Sequence, residues 1–160
     1  MTPRILSVMT AVVLASIAIP ARATTFTHMG VDCQFTSQDT FRRLTNGSVS
    51  NQSTVTMDTL WCPLDIVASV GGIKAVSVTV VDHSTADNVM CDLFVYNDDG
   101  VTQYYERRST SGSSSSSVKM YWDLTFQSFK GNYGHLLCYI PRISGIGNDS
   151  ILRRYSVINN

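Results

Sequence analysis

The chain has 160 residues, of which 44% are hydrophobic, and its twelve basic and twelve acidic side chains cancel to a formal net charge of zero. This balance argues against a nucleic-acid binder, which would carry a clear basic excess or a basic stripe. The length is sufficient for a single domain with a substantial hydrophobic core.

The first 23 residues have the features of a secretory signal peptide. Arg4 provides a short positive region, residues 5–19 form an apolar run, and residues 21–23 (Ala-Arg-Ala) match the small-x-small pattern of a cleavage site. The apolar run is short for a transmembrane helix, which needs about 20 residues. We therefore expect a secreted or periplasmic domain of residues 24–160, with residues 1–23 removed and no integral membrane segment.

Removal of the signal peptide changes the charge balance. The peptide contains Arg4 and Arg22 but no acidic residue, so the mature chain has ten basic and twelve acidic residues and a net charge of −2. Pairs of arginines occur at residues 42–43, 107–108 and 153–154, far apart in the sequence. We interpret them as separate solvated positions on strands and loops rather than as one anion-binding patch, and we expect no nucleic-acid partner.

Four cysteines remain in the mature chain: Cys33, Cys62, Cys91 and Cys138. An even number of cysteines in an exported domain indicates two disulfides. Three pairings are possible, and chain order favours Cys33–Cys62 with Cys91–Cys138. The spacing contains no Cys-x-x-Cys motif or Cys-His cluster, so it predicts no zinc site, and no other metal or cofactor is indicated.

Apolar and polar residues alternate with a period of two along much of the chain, which is typical of strands with one buried face. In the clearest segment, five apolar side chains share one face: Val118, Met120, Trp122, Leu124 and Phe126. Residues 89–96 alternate in the same way, with Cys91 on the apolar face. Further strands are predicted at residues 31–36, 54–62, 74–82, 101–107, 135–140 and 151–158.

About eight strands without a helical period of 3.6 predict an all-β fold. The expected architecture is a single antiparallel β-sandwich, jelly-roll or Greek-key-like, with two disulfides. The Ser-rich segment 110–117 and the segment 144–150 are predicted to be loops within this domain.

Asp82-His83-Ser84 places the three residue types of a hydrolase triad side by side. Consecutive residues at a strand end do not readily form the required hydrogen-bonded relay, and no G-x-S-x-G motif is present. Residues 82–88 are therefore predicted to be a connection between strands. Asn-Asp-Asp-Gly at residues 97–100 predicts a hairpin turn rather than a calcium site. No catalytic residue is identified, so the protein is not expected to be an enzyme, and a hydrolase is the least favoured alternative.

Tyrosines on the predicted strands are candidate platforms for sugar rings, because an aromatic face beside polar groups suits polyols. The candidates selected are Tyr104, Tyr105 and Tyr121. Tyr121 is the strongest of them, since its position in the alternation is opposite that of Trp122 and the apolar set. The competing interpretation is that such tyrosines pack at the margins of the core.

Several short motifs occur in a characteristic order: "VDCQ", "NGSVSN", "WCPL", "VSVTVVD", "VMCDLFVYNDDG", "LLCYIP" and "SILRRYSVIN". In this order the chain resembles a group of small secreted β proteins of Gram-negative bacteria, familiar from myxobacteria, most of which have no assigned activity. Some similar proteins carry additional cysteines after the third, which this chain lacks. The resemblance implies export and a disulfide-bonded β domain, but no activity and no functional residues.

The leading functional hypothesis is a non-enzymatic exported module that binds carbohydrate or another cell-envelope component. The alternative is a structural or assembly subunit of an extracellular matrix, coat or filament. This alternative depends on self-association through an exposed edge strand, for which residues 151–160 are the candidate.

Overall fold

The computed structural model describes residues 23–36, 40–64, 73–125, 131–145 and 147–159. Nearly all of the predicted signal peptide, residues 1–22, therefore lies outside the described residues. The described part of the chain folds as two antiparallel β-sheets packed face to face. This confirms the predicted all-β sandwich.

Eleven strands and one helical turn, Gly30–Asp32, are described. The strands in chain order are β1 Thr24–Met29, β2 Gln34–Phe35, β3 Phe41–Arg43, β4 Val49–Asn51, β5 Asp58–Leu64, β6 Ile73–Asp82, β7 Met90–Asn97, β8 Thr102–Ser109, β9 Ser114–Asp123, β10 Gly131–Ile140 and β11 Ile151–Asn159. The sequence predicted about eight strands because several of the N-terminal strands are too short to show a period. No helix among these residues is long and apolar enough to cross a membrane.

Sheet A has the strand order β3-β4-β11-β6-β9, with β1 also paired to β11, and sheet B has the order β2-β5-β10-β7-β8. In sheet A, β11 pairs with β6 along one side and with β4 and then β1 along the other. The expectation that the C-terminal strand is an exposed edge is therefore wrong. The partners that cover β11 come from distant parts of the chain, so the sequence around β11 does not reveal them.

The core lies between the two sheets and follows the predicted alternation. Residues on the inner face of β7 and β10 are fully buried against the inner face of β6. Trp122 of β9 and Tyr155 of β11 are the largest side chains that are completely enclosed. Replacing a fully buried aromatic residue by alanine typically costs about 3–5 kcal/mol of stability. Phe126, the last residue of the predicted apolar face, lies outside the described residues.

Both disulfides have the predicted pairing and lie in the core. Cys91 and Cys138 are directly paired residues of β7 and β10, with Cα atoms 4.1 Å apart. Cys33 follows the helical turn and is bonded to Cys62 of β5, with a Cα–Cα distance of 4.2 Å. None of the four residues is more than 3% exposed.

Several predicted boundaries are wrong: the predicted strand 54–62 is Asp58–Leu64, and the predicted strand 135–140 begins four residues earlier, at Gly131. The Ser-rich segment 110–117 is only partly a loop, because Ser114 to Ser117 form the first half of β9 and pair with the end of β6. Backbone hydrogen bonding to a neighbouring strand holds these serines in the sheet without any apolar pattern. The predicted strand 31–36 begins instead with the helical turn, and only Gln34–Phe35 is extended.

Candidate functional site

The Asp82-His83-Ser84 segment ends β6 and is organised around a buried carboxylate. Asp82 is 0% exposed. It accepts hydrogen bonds from Ser150 Oγ at 2.9 Å, the Val89 backbone N–H at 3.0 Å, the Ser84 backbone N–H at 3.1 Å and the Thr110 hydroxyl. These donors belong to the loops that follow β6, β8 and β10. Asp82 therefore links three loops. Because both of its carboxylate oxygens already accept these hydrogen bonds, its role is structural.

His83 and Ser84 do not complete a catalytic relay with Asp82. His83 Nδ1 lies 3.0 Å from the backbone carbonyl oxygen of Asp149. Ser84 Oγ accepts hydrogen bonds from the backbone N–H groups of Ala86 and Asp87, as in a tight turn. The interpretation of this segment as a connection between strands is confirmed.

The segment 97–100 forms the predicted turn between β7 and β8. The Gly100 N–H donates to the Asn97 carbonyl oxygen at 3.0 Å. Gly100 has a φ of +79°, a conformation that glycine adopts without strain. No group of three or more His, Cys, Asp or Glu side chains in the described residues is arranged to hold a metal ion.

The three tyrosines selected from the sequence lie in three different places, two on opposite outer faces and one against the core. Tyr105 lies on the outer face of sheet B and is 51% exposed. Tyr121 lies on the outer face of sheet A, where the Lys119 ammonium group is 5.4 Å from its ring centroid. Tyr104 packs against the core, and its hydroxyl donates to the Glu106 carboxylate. The three residues therefore do not form one site.

Burial and the neighbouring carboxylate both act on Tyr104. Burial, followed by the hydrogen bond to Glu106, raises the pKa of Tyr104 to about 12. Its ring faces the interior and its hydroxyl is already engaged. Less of the Tyr104 ring is therefore free than of the Tyr105 ring, and its role as a sugar platform stays a prediction.

The outer face of sheet B carries a continuous group of aromatic side chains. Six rings from four adjacent strands contact one another: Trp61 of β5, Tyr133 and His135 of β10, Phe94 and Tyr96 of β7, and Tyr105 of β8. We call this surface the aromatic face. It is an open surface of half-buried and exposed rings rather than an enclosed cavity.

Strand register explains why these residues meet. His135 is paired with Pro63 on one side and with Phe94 on the other, and Phe94 is paired with Tyr105. Since neighbouring strands are about 4.8 Å apart, these three rings span about 10 Å across the sheet, and Pro63 continues the row onto β5. Trp61 extends the aromatic face along β5, where its ring centroid lies 5.4 Å from that of His135.

Two pairs of rings in the aromatic face are stacked, one central and one that includes the exposed Tyr133. Phe94 and His135 have centroids 4.9 Å apart and an interplanar angle of 25°. Tyr96 and Tyr133 have centroids 5.2 Å apart at an angle of 16°. Rings this close and this parallel overlap face to face in part and cannot lie side by side on the sheet. Each of these four rings therefore has part of one face covered by its neighbour.

The outer rings keep more of their surface free for a ligand. Tyr105 and Tyr133 are 51% and 45% exposed, whereas Phe94, Tyr96 and His135 are only partly exposed. Tyr105 is tilted by 46° against Phe94, so only one side of its ring is covered by this contact. Tyr105 and Tyr133 are thus the rings best placed to stack against a ligand.

His135 lies at the centre of the aromatic face and is uncharged at neutral pH. Burial lowers the pKa of His135 below its usual value of 6.5. The neighbours that contact its ring, Trp61, Phe94 and Tyr96, carry no charge. The central part of the surface is therefore neutral.

A compensated ion pair borders the aromatic face. Arg107 Nε and Nη2 donate to the two carboxylate oxygens of Asp92 at 2.7 and 2.8 Å. Asp92 is 2% exposed, and the guanidinium also lies over the ring of Tyr139 at 5.5 Å. This bidentate pairing raises the pKa of Arg107 above its usual value. The remaining N–H groups of Arg107 can donate hydrogen bonds without adding net charge to the surface.

The sequence contained part of the signal for this site. Alternation along β7 places Phe94 and Tyr96 opposite the apolar set of Cys91, and both are indeed on the outer face. The selection of single tyrosines missed Trp61 and His135, because the order of β5, β10 and β7 in sheet B cannot be read from local patterns.

A separate cavity lies at the end of the sandwich where β10 leads to β11. It has a volume of about 620 Å³, and Gln52, Ile143 and Asp149 are among its lining residues. Gln52 Nε2 donates to Asp149 Oδ2 at 3.2 Å, so part of its polar lining is internally satisfied. This cavity contains none of the rings of the aromatic face.

No protein-family model and no curated protein sequence matches this chain. Among solved structures, the fold is similar to that of the xylan-binding module CBM86 from Roseburia intestinalis, with a TM-score of 0.52 and 13% identity. The alignment covers 86% of this chain and 96% of that module. The predicted resemblance to secreted proteins of Gram-negative bacteria remains a prediction.

The fold is also similar to part of a family two carbohydrate esterase from Cellvibrio japonicus, with a TM-score of 0.50 and 10% identity. That alignment covers 87% of this chain but only 35% of the esterase chain. At these levels of identity the two similarities show a shared fold, a two-sheet β-sandwich, and no more than the fold.

Proposed function

We propose that the protein is a non-enzymatic carbohydrate-binding module and that the aromatic face is its binding surface. The observation that supports the proposal is the group of six contacting rings on four adjacent strands of sheet B, with Tyr105 and Tyr133 partly free to stack. Aromatic rings beside a few fixed polar groups suit the apolar faces and hydroxyls of sugars.

The charge of the aromatic face indicates which class of polysaccharide it would bind. His135 is neutral at neutral pH, and the Asp92 carboxylate is neutralised by Arg107. A surface of this kind favours an uncharged polysaccharide over a polyanionic one. Xylan is the first polymer to test, since the structurally similar module from Roseburia intestinalis binds it.

Two features of the chain support binding without catalysis outside the cytoplasm. The residues that resemble a hydrolase triad are occupied by loop contacts, with Asp82 buried and His83 directed at a backbone carbonyl. The two core disulfides suit an oxidising compartment, as expected for a secreted or periplasmic protein. We propose no cofactor and no metal for this function.

The experiment is affinity electrophoresis of the protein in gels that contain xylan or other neutral polysaccharides, preceded by a glycan array. Tyr105→Ala combined with Tyr133→Ala should weaken binding by about tenfold or more, because each ring contributes roughly 1 kcal/mol through stacking. Tyr121→Ala is the matched control, since Tyr121 is similarly exposed, at 41%, but lies on sheet A.

The proposal fails if the folded protein binds no glycan on the array and is not retarded by any polysaccharide in the gels. It also fails if the double variant and the Tyr121→Ala control bind equally well. Thermal unfolding of each variant shows whether a loss of binding is separate from a loss of structure.

A further inference from the structure

The central strand of sheet A contains a β-bulge that turns two cations to the same side. Leu152 and Tyr155 are buried, whereas Arg153 and Arg154 between them are both exposed. The register of β11 against β6 shifts at this point. In a regular strand one of the two arginines would face the core, where an unpaired charge is very costly. The bulge keeps both on the outer face.

Both arginines line a cavity of about 360 Å³ on the outer face of sheet A. We call this cavity, opposite the aromatic face, the arginine pocket. Its other polar lining residues are Asn46, Ser48, Thr79 and Ser117. Asn46 Oδ1 accepts the Ser48 N–H at 3.1 Å, which leaves the Asn46 amide nitrogen available as a donor.

The arginine pocket has an excess of positive charge. Arg154 is paired with Thr79 across the sheet, and Thr79 is paired with Lys119 of β9. The Cα atoms of Lys119 and Arg154 are therefore about 10 Å apart, two strand spacings, and the Lys119 ammonium group lies over the ring of Tyr121. Among the described residues, the ion pairs within 4 Å are His28–Asp32, Arg107–Asp92 and Arg108–Glu106, and neither arginine of the pocket is in one.

We propose that the arginine pocket binds the phosphate or sulfate ester group of a substituted saccharide. Guanidinium groups match tetrahedral oxyanions because they present several N–H donors in a fixed plane. Hydroxyl groups from Ser48, Thr79 and Ser117 add donors of the kind that complete such sites. The pocket is large enough for one ester group and the sugar ring that bears it.

The same charges are a poor match to a membrane surface. Polybasic segments that bind anionic lipids typically contain about four to eight Lys or Arg residues, whereas this pocket is lined by two. Met29 is the apolar side chain at its margin, and a single methionine supplies little surface for insertion. A concave pocket favours a discrete ester group over a flat array of headgroups.

The experiment is isothermal titration calorimetry of the protein at low ionic strength with glucose 6-phosphate, glucose 6-sulfate and unsubstituted glucose. Saturable binding is expected for the two esters and none for glucose. Arg153→Gln combined with Arg154→Gln should weaken binding by at least about tenfold, since each removes a charge-assisted hydrogen bond. The charge-matched control is Arg42→Gln combined with Arg142→Gln, which changes two exposed arginines outside the pocket.

Three outcomes would overturn the proposal. The first is no saturable binding of either ester, and the second is equal binding by the double variant and its control. The third is binding of phosphatidylglycerol vesicles without binding of the sugar esters, which would assign this face to a membrane.

A variant on a different strand tests the proposal without a substitution in the β-bulge of β11. Lys119→Gln should weaken ester binding by about threefold through the loss of one cation near the pocket, and an unchanged affinity would contradict the proposal. The aromatic face is on the other sheet, so the arginine-pocket variants should still be retarded in xylan gels. Measuring both properties shows whether one proposal fails while the other holds.

Discussion

At the scale of single residues, Asp82 stabilises loops, although its position beside His83 and Ser84 suggests a catalytic role. Its two carboxylate oxygens accept four hydrogen bonds from three loops while the side chain is fully buried. The aspartate of the triad-like segment therefore links the loops at one end of the sandwich.

We predict that Asp82→Asn will destabilise the fold by about 2–4 kcal/mol, because the new amide group would direct donors at existing donors. Urea unfolding followed by circular dichroism measures the change. Asp87→Asn is the control, since Asp87 lies in the same loop but is exposed. Equal unfolding midpoints for the two variants would contradict this account of Asp82.

His135 should make stability depend on pH. Its folded-state pKa is lowered from 6.5 by burial, so the unfolded chain takes up the proton more readily than the folded protein. The stabilising contribution is therefore complete above pH 6.5 and is lost as the pH falls from 6.5 toward the lower folded-state value.

The test compares the urea midpoint of the protein with that of His135→Leu between about pH 8 and pH 5. The parent protein should lose more stability over this range than the variant, which differs from it only at residue 135. Parallel pH profiles would show that His135 is not the source of the difference.

At the scale of elements, the disulfides and the strand order act on different parts of the fold. Cys91–Cys138 joins two adjacent strands that carry the central rings of the aromatic face. Cys33–Cys62 ties the segment after β1 to β5, which neighbours β10 and carries only Trp61 of the aromatic face. Loss of the first bond should therefore disturb the aromatic face more than loss of the second.

We predict that replacing either pair of cysteines by alanine costs about 2–4 kcal/mol of stability. The separations of 47 and 29 residues favour a larger loss for Cys91–Cys138. Chain entropy alone makes the difference about 0.4 kcal/mol. Urea unfolding of the two double variants gives both values, and a larger loss on removal of Cys33–Cys62 would contradict the ranking.

Local sequence patterns revealed the strands with long alternations but not their neighbours. The alternations in β6, β7 and β9 identified the core residues, and chain order favoured the correct disulfide pairing. The row formed by His135, Phe94 and Tyr105 depends on pairings between distant strands, which leave no local trace. The β-bulge at Arg153 and Arg154 could not be predicted from the sequence either, because a pair of adjacent arginines does not by itself indicate a change of strand register.

At the scale of the whole molecule, the two proposed sites lie on opposite sides of the sandwich. The sheets pack about 10 Å apart and the outer side chains add to that distance, so no side chain can contact both sites. Sites this far apart with no shared partners are expected to act independently.

We therefore predict that saturation of the aromatic face with a xylan oligosaccharide leaves the affinity for glucose 6-phosphate unchanged within about twofold. Calorimetric titration of the ester in the presence and absence of the oligosaccharide provides the comparison. A larger change in affinity would reveal coupling through the core between the two sheets.

The chain has two tryptophans, and the fold gives them different surroundings. Trp61 is half-buried on the aromatic face, whereas Trp122 is completely enclosed in the core. The intrinsic fluorescence of Trp61 should therefore change when a sugar covers its indole, while the emission of Trp122 should shift to the red only when the sandwich opens. With Trp61→Phe and Trp122→Phe as single-emitter variants, the protein supplies its own optical reporters of ligand occupancy and of unfolding, without an attached dye.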